Sequence, residues 1–204
     1  MNRGKMREFD LKLIVVVTIS TFVLIFEHYH SIPPDFPEIT PLVFYVFIPL
    51  FISWLLLREK PYDYGIRLGD WKLALISVVL CLSVMTIAIY AVASLQSFEN
   101  YYRLPEDTNW GRFLLDAVFY LFSWEFIFRG YMLFGLEEST GKSAIFIQAI
   151  PFALLHIGKP ELEALTTFFG GCILGYISYR TRSFLPCFII HFGIYTMMHV
   201  FTGS

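Results

Sequence analysis

The residues best suited to chemistry lie within residues 122–130, where Glu125 and Arg129 interrupt an otherwise apolar run. Their four-residue spacing places a carboxylate and a guanidinium on one face of a helix, within reach of each other. Ionisable groups are costly inside a membrane, and there they commonly mark functional sites. The alternative is a buried ion pair that only fixes how the helices pack.

Two histidines in other apolar runs add to this pair. His156 ends the run at 144–156, and His191 lies inside the run at 184–201. A carboxylate and two imidazoles from three segments can activate a water, ligate a metal or relay protons. In the first case Glu125 takes a proton from water, one histidine orients that water, and the other stabilises an oxyanion. His156 taken alone would also fit an ordinary position at the membrane interface.

Two further side chains would support such a site. Arg129, one helical turn from Glu125, would keep that carboxylate ionised. Tyr195 follows His191 by one turn and continues a polar stripe along the last apolar run. We therefore expect both residues to belong to the site.

The composition identifies an integral membrane protein. Of the 204 residues, 56% are hydrophobic and 16% are charged, with a mean hydropathy of +0.61. That is too apolar for a soluble domain. The net charge of -2 says nothing about nucleic acid, and no basic cluster suggests it, so we predict no nucleic-acid partner. Cys81, Cys172 and Cys187 lie in apolar segments, where thiols are usually inert and form no disulfide framework.

Apolar runs of suitable length predict an all-α, polytopic transmembrane bundle of about seven spans. We predict one membrane domain over 1–204, with three spans and their loops in 1–110 and the polar core in 111–204. Small residues in the sixth span also predict close helix packing. The predicted spans are 13–26, 41–57, 73–95, 111–134, 144–156, 162–179 and 184–201.

The charges in the loops predict an orientation in the cell membrane. Lysine and arginine concentrate in the loops on one side of the seven-span arrangement, and cytoplasmic loops carry such an excess. The amino terminus is therefore expected in the cytoplasm and the carboxyl terminus outside. The residues on the basic side are Arg3, Lys5, Arg7, Lys12, Arg58, Lys60, Arg67, Lys72, Lys142, Arg180 and Arg182.

Three motifs in this order resemble the CAAX protease and bacteriocin-processing family, also called the Abi family. Glu125 and Arg129 match the second Glu and the Arg of its Glu-Glu-xxx-Arg motif. Phe152 and His156 match its Phe-xxx-His motif, and His191 matches the His of its final His-xxx-Asn motif.

The resemblance covers about residues 110–201 and implies an intramembrane endopeptidase whose four core helices hold the site. Family members include enzymes that trim prenylated proteins and others that process peptides or protect against them. It therefore implies hydrolysis of a peptide bond in a membrane-associated protein or peptide, with lipidated substrates among the candidates.

The chain departs from the family pattern at two positions. Trp124 stands where the family has its first Glu, commonly assigned as the carboxylate that activates water. Tyr195 stands in place of the final Asn, and its hydroxyl still offers a hydrogen-bond donor. Either Glu125 takes over as base, or the protein is an inactive family member that acts as an immunity or partner-binding scaffold.

Two other uses of the polar residues stay open at this point. Glu125, His156 and His191 would suffice as three ligands of a divalent ion such as zinc, with an open position for water. No other cofactor is indicated. A proton-coupled transporter is a weaker alternative, because the core spans lack paired broken helices.

Overall fold

The computed structural model describes residues 10–30 and 39–202; the predicted basic residues Arg3, Lys5 and Arg7 lie outside them. The described residues form helices and turns without a β-strand, which confirms the all-α fold. The helices are α1 (Leu11–Tyr29), α2 (Ile48–Leu57, preceded by a π-helical segment at Leu42–Phe47), α3 (Trp71–Val92), α4 (Gln96–Tyr102), α5 (Trp110–Glu125), α6 (Leu133–Thr140), α7 (Ala144–Leu154), α8 (Glu161–Thr181) and α9 (Leu185–Thr202).

Short polar residues define where several helices begin. The carboxylates of Asp10 and Asp70 accept hydrogen bonds from the backbone N–H groups of Leu13 and Leu73, at 3.1 and 3.0 Å. Asn109 caps α5 in the same way. Such caps satisfy backbone donors that the first helical turn leaves free, and they fix the entry of each apolar segment.

Length and composition agree with a multi-pass membrane protein. Of the described helices, α1, α3 and α9 are long and apolar enough to cross a membrane, and residues 42–57 form a shorter apolar helix. The predicted count of seven spans is therefore approximate. Two local predictions were wrong: the fifth segment ends its helix at Leu154 rather than at 156, and the short helix α4 was not expected.

A continuous helix forms the centre of the bundle. It consists of α5, a π-helical segment at Phe126–Met132, and α6. All seven residues of the π-helical segment are buried, and they anchor the largest cluster of buried apolar side chains. By contrast, most of α3 is exposed and apolar, which suits a helix that faces lipid.

Helices α7 and α8 approach closely through small residues, as predicted. A Cβ atom added at Gly175 would lie 2.5 Å from the side-chain nitrogen of Gln148, and one at Gly171 would lie 3.1 Å from Cβ of Ala149. Gly170 faces open space instead. The close approach brings α7, which leads to His156, against the π-helical segment.

The loops gather at two ends of the bundle. At one end, the backbone N–H of Asp70 donates to the carbonyl of Thr181 at 2.9 Å, and Arg67 Nε donates to the carbonyl of Arg182 at 2.7 Å. We call this the basic end. At the other end, His199 Nδ1–H donates to the carbonyl of Tyr102 at 2.6 Å. We call that the cavity end, because the large cavity described below is located there.

Candidate active site

Glu125 and Arg129 are in contact, as their spacing predicted. Both side chains are 0% exposed, and Arg129 Nε lies 3.3 Å from Glu125 Oε2. The guanidinium carbon also lies 3.7 Å from the centre of the Phe152 ring, so the cation stacks on an aromatic face. The charge pair thus has no exposed surface, and the Phe152 ring covers the guanidinium.

The π-helical segment explains how the pair fits between its neighbours. Its wider turn inserts an extra residue into the helix, and such insertions are frequent at functional sites. Ser178 Oγ–H donates to the carbonyl of Arg129 at 2.8 Å and so satisfies part of the disturbed backbone. Gly130 lets Tyr64 come close, since a Cβ there would lie 2.8 Å from the Tyr64 carbonyl oxygen. No local pattern in the sequence predicts this segment.

His191 is joined directly to the ion pair. Its Nδ1 lies 2.7 Å from Glu125 Oε1, so Nδ1–H donates to the carboxylate and Nε2 keeps its lone pair. Glu125 therefore connects Arg129 on one side with His191 on the other. A buried carboxylate on Nδ1 fixes both the tautomer and the orientation of an imidazole, and it stabilises the imidazolium form.

His156 lies in the turn just after α7, and its imidazole is also fixed in one tautomer. Nδ1–H donates to the carbonyl of Phe152 at 2.8 Å, which leaves Nε2 as an acceptor. The ring packs against the rings of Phe152 and Trp124, with centroid distances of 4.6 and 5.8 Å. Although the residue is only 4% exposed, it reaches the wall of the cavity.

A cavity of about 640 Å³ joins the predicted residues at the cavity end. His156, His191 and Tyr195 all line it, as does Trp124. Glu125 is absent from the lining, because its carboxylate lies behind His191. The cavity therefore borders the two imidazoles directly, whereas His191 separates the Glu125 carboxylate from it.

Sequence reasoning missed the contribution of the first two helices. Glu27 on α1 and Tyr45 in the segment before α2 line the same cavity, and so do Asp116 and Tyr120 on α5. Glu27 directly follows the predicted first span at 13–26, and the structure places it within α1.

The predicted zinc ligands do not form a three-ligand site in this arrangement. Within residues 10–30 and 39–202, no three His, Cys, Asp or Glu side chains are grouped so that they could hold a metal ion. Glu125 and His191 are hydrogen-bonded to each other instead of facing a shared ligand position. The metal content of the protein stays a prediction.

The buried thiol near the pair has a structural role, in agreement with the sequence analysis. Cys187 is fully buried, and its Sγ–H donates to the carbonyl of Leu174 at 3.1 Å. A thiol held in this way inside an apolar contact between helices is not placed to attack a substrate.

These features define a class: a multi-pass helical membrane protein in which a buried, ion-paired glutamate holds a histidine at the wall of a cavity. Residues 106–197 match the family model described as Type II CAAX prenyl endopeptidase Rce1-like. The matched stretch contains Glu125, Arg129, His156 and His191, and the match agrees with the family resemblance predicted from the motifs. That family is in general one of proteases. No curated protein and no solved structure matches the chain.

Proposed function

We propose that the protein hydrolyses a peptide bond of a membrane-associated protein or peptide inside this cavity. The observation that carries the proposal is the buried Glu125 carboxylate hydrogen-bonded to Nδ1 of His191, a residue that lines the cavity. The same pairing of carboxylate and imidazole produces a general base in hydrolytic enzymes on unrelated folds.

In this mechanism His191 Nε2 takes a proton from a water molecule as the water oxygen bonds to the scissile carbonyl carbon. Tyr195 O–H donates to the oxyanion of the tetrahedral intermediate, and His156 Nε2 orients the attacking water by accepting its second O–H. As the C–N bond breaks, His191 returns its proton to the leaving amine. Glu125 stabilises the imidazolium and is a positioning residue, which revises its expected role as the direct base.

We infer the orientation in the membrane from the charges at the two ends of the bundle. The basic end would face the cytoplasm by the positive-inside rule, and the cavity would open at the opposite face. A membrane-impermeant maleimide applied to intact cells should therefore label the variant Glu106→Cys and not Lys142→Cys. The reverse pattern would place the cavity on the cytoplasmic side.

The hydrolysis itself is tested with purified protein in proteoliposomes and a quenched fluorescent peptide. The peptide carries a farnesylated Cys-aliphatic-aliphatic-X ending, and a second version lacks the farnesyl group. We expect His191→Gln and His156→Gln each to slow cleavage at least ~100-fold, the usual contribution of a general acid or base. His30→Gln is the matched control, because His30 is exposed at the end of α1 and outside the cavity lining. Full activity of His191→Gln would contradict the mechanism.

The second candidate is a scaffold without catalysis, which the tryptophan at position 124 favours. It predicts no cleavage of either peptide by the wild-type protein. It also predicts that His191→Gln protects cells or binds its partner as well as the wild type does. These outcomes separate the two functions.

A further inference from the structure

Among residues 10–30 and 39–202, a tyrosine hydroxyl donates to a glutamate in three pairs, and two of these pairs share a further feature. Tyr64 Oη–H donates to Glu59, and Tyr102 Oη–H donates to Glu163 at 2.6 to 2.7 Å. In each pair a lysine ammonium completes the arrangement. Lys12 binds Glu59 at 2.5 Å, and Lys159 binds Glu163 at 2.9 Å.

The third pair lacks that cation. Tyr45 Oη–H donates to Glu27 Oε2 at 2.8 Å, and within the described part of the chain Glu27 forms no ion pair. Both residues line the large cavity. A carboxylate without a counter-charge is costly in such surroundings, so an entering cation would be stabilised there.

Aromatic rings around Glu27 also suit a cation. Trp124 lies at centroid distances of 6.4 Å from Tyr45 and 5.3 Å from Tyr120, and all three residues line the cavity. Faces of tryptophan and tyrosine attract ammonium and guanidinium groups. The protein uses this attraction elsewhere in the cavity lining, where Lys159 Nζ lies 5.6 Å from the centre of the Tyr102 ring.

The other charged groups of the cavity are already neutralised. Asp116 forms an ion pair with Arg112 at 2.9 Å, and Lys159 is bound to Glu163. Glu27 is therefore the carboxylate of this wall whose charge is left for a ligand.

We propose that the Glu27 side of the cavity binds a cationic side chain, lysine or arginine, of the peptide that enters the site. The ammonium or guanidinium takes the place that Lys12 and Lys159 occupy in the two complete arrangements. The inference rests on the proposed function only in naming the ligand as the substrate; binding of the cation does not require cleavage.

A purely structural role for Glu27 makes a different prediction. If the bond to Tyr45 only fastens α1 to the segment before α2, a neutral glutamine at position 27 would serve as well, because its amide oxygen still accepts from the hydroxyl. The charge of a bound peptide would then be irrelevant.

The test uses fluorescein-labelled apolar octapeptides with one lysine at successive positions, each matched with a peptide that has norleucine there. Binding to the full-length protein is measured by fluorescence anisotropy in lipid nanodiscs of phosphatidylglycerol, whose headgroup has no amine. We expect lysine at one or two positions to tighten binding at least tenfold over norleucine. Glu27→Gln should abolish this preference, and Asp116→Asn, a charge-matched change in the same cavity, should keep it.

Equal binding of each lysine and norleucine pair by the wild-type protein would overturn the proposal, and that comparison needs no variant to fold. A lysine preference that survives in Glu27→Gln would overturn it too. Loss of the preference in nanodiscs that contain phosphatidylethanolamine would assign the site to a lipid amine and overturn the peptide assignment.

Cleavage of the same peptides, followed by mass spectrometry, separates this proposal from the proposed function. Binding that depends on Glu27 without any cleavage supports the cation site and removes the hydrolase. Cleavage that ignores lysine removes the cation site and keeps the hydrolase.

Discussion

Two glutamates meet the cavity wall in opposite ways. Glu125 is fully buried, contacts Arg129 and His191, and does not line the cavity. Glu27 lines the cavity and, among the described residues, is held by the hydroxyl of Tyr45 alone. One carboxylate has its charge balanced within the fold and serves to hold a histidine. The other keeps its charge available for a molecule that enters.

The largest expected effect on stability comes from breaking the ion pair between Glu125 and Arg129. Arg129→Met leaves the Glu125 carboxylate buried without its counter-charge, which should lower the free energy of unfolding by about 3–5 kcal/mol. Denaturant titration of the protein in detergent, followed by tryptophan fluorescence, measures this loss.

The control removes both charges. The double variant Arg129→Met with Glu125→Leu should regain most of the lost stability, because an apolar pair can replace a buried ion pair at little cost. If the single and double variants were equally unstable, the charge pair would not be the reason for the loss.

A smaller loss of stability is expected from a larger side chain beside the Glu125–Arg129 ion pair. A Cβ added at Gly171 would lie 3.4 Å from Arg129 Nη2 and 3.1 Å from Ala149 Cβ. Gly171→Val should therefore cost about 1–3 kcal/mol of unfolding free energy, as is usual for overpacking. Gly170→Val is the matched control, because nothing lies within 4 Å of its added Cβ. Equal stability of the two variants would show that the contact between α7 and α8 at Gly171 is not tightly packed.

The smallest effect on stability is expected at Glu27, the carboxylate without a counter-charge. In nanodiscs without peptide, Glu163→Gln removes a carboxylate bound to both Lys159 and Tyr102, and it should cost about 1–2 kcal/mol. Glu27→Gln should cost less than half as much, because no cation loses its partner. Thermal unfolding of the two variants measures the difference. A larger loss at position 27 than at 163 would reverse the comparison.

The group of Glu125, Arg129 and His191 was largely predictable from local patterns in the sequence. Apolar runs long enough to cross lipid become helices in almost any context, so most helix positions agreed with prediction. The contact between Glu125 and Arg129 follows from a spacing of four residues on one helix. The involvement of His191 followed from a deep polar residue in an apolar segment.

The Glu27 side of the cavity was not predictable in the same way. The bond between Glu27 and Tyr45 depends on how two helices pack, and no spacing within one helix encodes it. The π-helical segment depends on contacts with Tyr64 and Ser178, which are distant in sequence. The turn that sets the His156 tautomer appears only once α7 is seen to end at Leu154.

The most direct test of the account is the cleavage rate of Glu125→Asp. The shorter side chain keeps a negative charge beside Arg129 and withdraws the carboxylate from His191 Nδ1, now 2.7 Å away. Misplacing a group by about 1 Å can cost on the order of 100-fold in rate, so we expect a loss of that size with little change in unfolding. An unchanged cleavage rate would contradict the claim that Glu125 acts by holding His191.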